Sequence, residues 1–179
     1  MDNLNPLIFL TPVIALILAV LLFIHLVKAR DDNVVFKCFV LITLVLAFIF
    51  NFAWELLQMP LYKDAPYTFT HIAFCALASV ADAIMVLLIY LFFGVIYKNT
   101  LWVKDLKLPR ILTLILCGAI GAIIAETRHV SAGNWTYDNS MPIIPIIEVG
   151  LSPVLQFMLL PLLIYYLSYK KSKKYNGPL

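Results

Sequence analysis

Asn51, Glu55 and Gln58 stand four and three residues apart in the string NFAWELLQMPLY (51–62). On a helix that spacing puts a carboxyl between two amides on one face. A second set, Thr68, His71, Cys75, Ser79 and Asp82, steps by three and four and ends on an aspartate. A third, Glu148, Ser152 and Gln156, repeats the four-residue step. Between the second and third lies AETRHVSAGNWTYDNSMP (125–142), which carries Glu126, Arg128, His129, Trp135 and Tyr137. Carboxyls in unlike surroundings divide the roles of proton donor and proton acceptor, and nearby aromatic rings stabilise a developing cation. The expected chemistry is proton transfer to and from an apolar molecule. Glu55, Asp82, Glu126 and Glu148 are the candidate proton-handling groups. Asn51, Trp54, Gln58, His71, Ser79, Arg128, His129, Trp135, Tyr137 and Gln156, with Phe52, are the candidate substrate contacts.

The elements that must position these groups are built for lipid. Hydrophobic residues make up 63% of the 179 and charged residues 13%, against about 25% charged in a soluble domain. Five stretches are candidate spans, against a needed length of about 20 residues: Pro6–Val27, Val35–Leu57, Ile72–Tyr97, Ile111–Glu126, which is short, and Ile143–Leu167. The first lacks a basic leader and a small-residue cleavage site, so it reads as a retained helix. The expected fold is an all-α, polytopic transmembrane bundle of five helices in a single domain, 1–179.

Eleven of the 13 basic residues fall on one side of this topology: Lys28, Arg30, Lys37; Lys98, Lys104, Lys107, Arg110; Lys170, Lys171, Lys173, Lys174. Only Lys63 and Arg128 fall on the other. The positive-inside rule then puts the N-terminus outside and the C-terminus in the cytoplasm. The net charge of +3 reports topology, so no nucleic-acid partner is expected. Cys38, Cys75 and Cys117 lack a metal-type or redox spacing, and nothing resembles HExxH; no metal, cofactor or disulfide is expected.

Each polar group also has a plainer role. An intramembrane carboxyl costs about 2.5–3.5 kcal/mol at a helix centre, which makes it a functional candidate by default. Asn51 and Gln58 alternatively serve as interhelical hydrogen-bond glue. Trp54, Trp135 and Tyr137 suit an interfacial aromatic belt, and Glu126 with Arg128 suits a surface ion pair. The run CGAIGA (117–122) offers Gly118, Gly121 and Ala122 for close helix approach. Pro153 and Pro161 are expected to interrupt the fifth helix and free backbone carbonyls, with Pro153 doing so beside Ser152 and Gln156. The 125–142 segment is expected to fold over the cavity as a lid.

The string LAFIFNFAWELL (46–57), with Asn51, Trp54 and Glu55 forming N-x-x-W-E, resembles the early helix of the integral-membrane terpene cyclases of fungal meroterpenoid and indole-diterpene pathways. The resemblance implies that Glu55, with an acid on a later helix, protonates an epoxide or alkene and starts cyclisation. It covers about a dozen residues, and those cyclases carry seven helices where this chain offers five. The 126–156 segment resembles small polytopic bacterial membrane proteins. The wealth of Lys, Ile and Asn is compatible with a bacterial source, and the expected location is the bacterial inner membrane.

Two functions follow as expectations. One is a membrane enzyme that cyclises or isomerises an isoprenoid or lipid in an outer-leaflet pocket. The other is a proton-linked binder or transporter of a small molecule or lipid; an accessory subunit whose polar faces meet a partner's helices is a third reading. The expected partners are membrane lipid and a hydrophobic small-molecule substrate, and an oligomer is compatible with the sequence.

Overall fold

The computed structural model describes residues 6–28 and 34–176. Arg30 of the first basic group and the leading Met1–Asn5 lie outside the described residues. Five helices are long and apolar enough to cross a membrane, which makes the chain an integral membrane protein: α1 (Leu10–Lys28), α2 (Val34–Gln58), α3 (Phe69–Ile96), α4 (Leu108–Ser131) and α5 (Leu151–Ser172). α2 packs against α3 and α5, α4 packs against α5, and α1 packs against α3. The helices therefore form a row in the order α1, α3, α2, α5, α4.

Local chemistry sets the helix ends. α2 stops at Gln58 because Pro60 enters a 3₁₀ turn, Met59–Leu61, that has no use for its missing N–H. Thr68 caps α3 by accepting from the His71 backbone N–H at 3.4 Å. Pro109 stands in the first turn of α4, where a proline costs no helical hydrogen bond. α4 runs on to Ser131 and closes at Gly133, whose φ of +70° supplies the left-handed residue of a helix terminus. Glu126, Arg128 and His129 are thus helical, where the sequence reading ended the fourth span at Glu126.

The fifth helix also differs from expectation. It begins at Leu151, because Pro142 and Pro145 bias the residues before them toward extended backbone. Residues 143–150 form a hairpin instead, with strands β1 (Ile143–Ile144) and β2 (Val149–Gly150) paired Ile143 to Gly150 and Ile144 to Val149. Pro153 consequently sits in the first turn of α5, where N–H groups have no helical acceptor, and frees no helical carbonyl. Pro161 lies inside α5 and leaves the Phe157 carbonyl without its i+4 donor. Gly118 of α4 packs on that carbonyl: a Cβ on Gly118 would meet the Phe157 oxygen at 2.0 Å.

The five helices alternate in direction, so one end of the bundle collects the start of α1, the end of α2, the start of α3, the end of α4 and the start of α5. This end carries Glu55 and Glu126, with Asp82 below them. The opposite end is filled by aromatic side chains. Trp102, inserted by the loop between α3 and α4, stacks on Tyr90 with ring centroids 5.4 Å apart. Tyr90 in turn meets Phe39 at 4.4 Å and Tyr165 at 5.2 Å. All four are fully buried. Their polar atoms are paired within the bundle: Trp102 Nε1 donates to the Tyr90 carbonyl at 3.1 Å, and the Tyr90 and Tyr165 hydroxyls donate to the carbonyls of Thr100 and Val86. Arg110 covers the plug from its loop side, donating to the Trp102 carbonyl at 3.0 Å over the Tyr97 ring.

Candidate functional site

The polar faces of α2, α3 and α5 meet through one side chain. Gln156 of α5 points its amide nitrogen at Asn51 Oδ1 (2.9 Å), Asp82 Oδ2 (3.1 Å) and Glu55 Oε1 (3.5 Å). Gln58 donates to the same Glu55 oxygen at 3.0 Å and to Gln156 Oε1 at 3.3 Å. Ser152 completes the chain by donating to Gln58 Oε1 at 2.8 Å. Asn51 fixes its own orientation through Nδ2 to the Ala47 carbonyl, 2.7 Å. Two carboxyls from different helices therefore share one amide nitrogen. An NH₂ carries two protons, so three acceptors compete for two donors.

This network forms one wall of a cavity of about 850 Å³, within the size range of ligand sites. Glu55, Gln58, Asp82 and Gln156 line it, and Glu126 lines it from α4. Glu126 accepts on Oε2 from the Tyr137 hydroxyl at 2.6 Å and from Trp135 Nε1 at 3.2 Å. Trp135 stacks on His129 at 4.5 Å, and His129 shares a 2.8 Å hydrogen bond with Asn134. The wall has depth: on α3 it runs from His71 at the mouth past Asp82 to Ile89. Among the described residues, no three histidine, cysteine or carboxylate side chains converge as a metal site requires.

The segment after α4 closes over the mouth. Lys63 N–H donates to the Thr136 carbonyl at 3.0 Å and Asp138 N–H to the Leu61 carbonyl at 2.9 Å, bridging Tyr62 and Tyr137. Tyr62 packs edge-on against Trp135 and tilted on Tyr137. Burial, and behind it the Glu126 carboxyl, pushes the Tyr62 phenol up from its ordinary range. Burial and the hydrogen bond to Glu126 push Tyr137 the same way. Tyr137 therefore remains a donor to Glu126 at any physiological pH. Asp138 is held below the usual range by the Ser140 backbone and hydroxyl, which fixes the turn beyond it. Tyr137→Phe is expected to cost about 1.5 kcal/mol, read as faster amide exchange across 132–142 with α2 and α3 unchanged.

No protein-family model, curated protein or solved structure matches the chain. What the site can do therefore follows from its own geometry.

Of the residues singled out in the sequence, Glu55, Gln58, His71, Asp82, Glu126, His129, Trp135 and Gln156 line the cavity. Asn51 is buried behind it and positions Gln156. Tyr137 reaches it only through Glu126. The others are elsewhere. Glu148 is exposed in the β1–β2 hairpin at a φ of +53°, because the helix expected to carry it starts three residues later. Ser79 is buried and donates to the Cys75 carbonyl at 2.7 Å. Trp54 packs against the aliphatic and aromatic core, and Phe52 stacks on Phe48. Arg128 donates to Thr11 of α1 at 3.1 Å and so ties α4 to α1, where the sequence suggested a pair with Glu126. Sequence reasoning missed Tyr62, Phe74 and Phe157 as cavity walls. Phe74 and Phe157 are chain neighbours of Cys75 and Gln156, and Tyr62 ends the opening motif, so their positions held a faint signal.

Gln156→Leu should be costly out of proportion to its size. It strips Asn51 and Asp82 of their shared donor, an expected loss of about 2 kcal/mol measurable as a lower unfolding midpoint in detergent.

Proposed function

We propose that the protein is an integral-membrane enzyme that isomerises or cyclises an isoprenoid or lipid by carboxylate acid–base chemistry. The observation that carries the reading is the Glu55–Gln156–Asp82 bridge in the wall of a ligand-sized cavity. Glu55 accepts from two amides and Asp82 from one. Donors stabilise an ionised carboxylate, which assigns Glu55 the role of base and Asp82 that of acid. Asp82 gives its proton to one carbon of an alkene, whose π pair becomes the new C–H bond and leaves a cation on the other carbon. The cation either loses a neighbouring proton at once or first adds to a second alkene of the chain, whose π pair becomes the new C–C bond and leaves a new cation that then loses its own neighbouring proton. That proton goes to Glu55, and the product has the composition of the substrate. Glu126 and the rings of Tyr62 and Trp135 face the cation across the cavity.

The basic residues of the α3–α4 loop and the tail lie at the plugged end. By the positive-inside rule that end is cytoplasmic and the acid end faces outward, with the bacterial inner membrane as the proposed location. The plug also favours an enzyme over a transporter, since alternating access needs a path to both sides, and Tyr90, Trp102 and Tyr165 fill one of them.

The test is turnover. Reconstituted protein is given a panel of polyprenyl alcohols and their terminal epoxides, and products are separated by chromatography at constant mass. An isobaric product that disappears with Glu55→Gln supports the reading. A panel left unchanged by the wild type, or converted equally by folded Glu55→Gln, overturns it.

A further inference from the structure

We infer that the cavity is open sideways to the membrane between α3 and α4, and that it admits a single-chain amphiphile whose reactive segment lies inside while its tail trails into lipid. The inference rests on the proposed function only for what happens to the amphiphile once bound.

The packing row puts α3 and α4 on either side of the cavity, yet the two helices do not pack against each other along their lengths. At the acid end the opening is limited by the Arg128–Thr11 hydrogen bond between α4 and α1. Below it, α3 contributes Leu77 and Val80, which line the cavity and remain 47% and 44% exposed. α4 contributes Gly121, where an added Cβ would meet nothing within 4 Å. A residue that lines a cavity and also faces outward marks its edge. Because these edges lie mid-helix in a spanning segment, the medium beyond them is hydrocarbon.

Depth decides how the occupant must lie. From Asp82 to Ile89, the last lining residue of α3, is about 10 Å at 1.5 Å per residue. The next residue, Tyr90, belongs to the aromatic plug. Below Asp82 there is room only for a short segment, and above it the mouth is polar and covered by the 132–138 segment, so an apolar tail finds neither end of the cavity suited to it. It has to leave through the slot, and the other walls offer none: α2 packs on both α3 and α5, and α5 on α4. Polar side chains stand only at the acid level and the mouth, so the polar or unsaturated segment sits there and the saturated tail does not.

Photolabelling tests this, with a diazirine-bearing long-chain alcohol as probe and the diazirine-free alcohol as competitor in detergent-solubilised full-length protein, the labelled residues being read by mass spectrometry. Competable labelling at Leu77, absent at the 60% exposed Leu116 outside the cavity, is expected. Gly121→Leu should reduce it at least tenfold, with Ala125→Leu as the second variant if the first does not fold. Labelling at Leu77 that is not competed, or that survives both substitutions, overturns the slot. Occupancy is read without turnover. Competable labelling with no isomerisation leaves the slot standing and removes the proposed function; turnover unaffected by both substitutions does the reverse.

Discussion

Asp82→Asn is expected to lower turnover by about 10²–10⁴-fold, the range a positioned general acid supplies, with the fold intact. The asparagine carbonyl can still accept from Gln156 Nε2 in the place of Asp82 Oδ2, now at 3.1 Å, so the three-helix bridge keeps its geometry and only the transferable proton is lost. The readout is initial rate with the same panel of prenyl alcohols and epoxides, alongside the unfolding midpoint and competable labelling at Leu77. A fall in rate with retained midpoint and labelling separates chemistry from structure. Full turnover by a folded Asp82→Asn would remove Asp82 from the acid role and pass that role to Glu126, the cavity acid on α4.

Gly118→Ala is expected to be the most damaging single-methyl change in the protein. The new Cβ would stand 2.0 Å from the Phe157 carbonyl oxygen, and that atom is backbone, so no rotamer change relieves the clash. α4 and α5 must separate, at an expected cost of about 3 kcal/mol, the upper part of the range for overpacking. Gly121→Ala, one turn away in open space, is the control. It should be neutral or stabilising by about 1 kcal/mol through helix propensity. The comparison is made by unfolding midpoint in the same detergent. Equal midpoints would mean that α4 and α5 are not held as close as the structure shows.

The two glycines also illustrate what the sequence disclosed. That five helices exist was legible, since runs of about 20 apolar residues have few alternative explanations. That Gly118 and Gly121 face different surroundings was not. In a membrane helix both the lipid face and the protein face are apolar, so the periodicity that orients a soluble helix is weak. The same degeneracy placed Trp54 and Ser79 at the cavity, where the structure buries one in the core and turns the other onto its own helix. Carboxyls and glutamines escape it, because the backbone of their own helix cannot satisfy them. Glu55, Gln58, Asp82 and Gln156 converge for that reason. Glu148 was misplaced by a local effect: two prolines turned the expected start of a helix into a hairpin. The bridge between 61–63 and 136–138 joins segments far apart in the chain through backbone atoms, and backbone pairing leaves no mark in residue type.

The aromatic plug has a consequence for the cell that houses the protein. A carboxyl-lined cavity reaching the middle of a membrane is half of a proton wire. Completed, it would drain the electrochemical gradient, about 2.3 kcal/mol per charge at 100 mV. Past Asp82 the α3 wall is Ile84, Met85 and Ile89, none of which relays a proton. Tyr90, Trp102 and Tyr165 then tie their own polar atoms to backbone carbonyls. Closing that end with rings already committed to the backbone would let the proposed acid chemistry proceed within an energised membrane without discharging it.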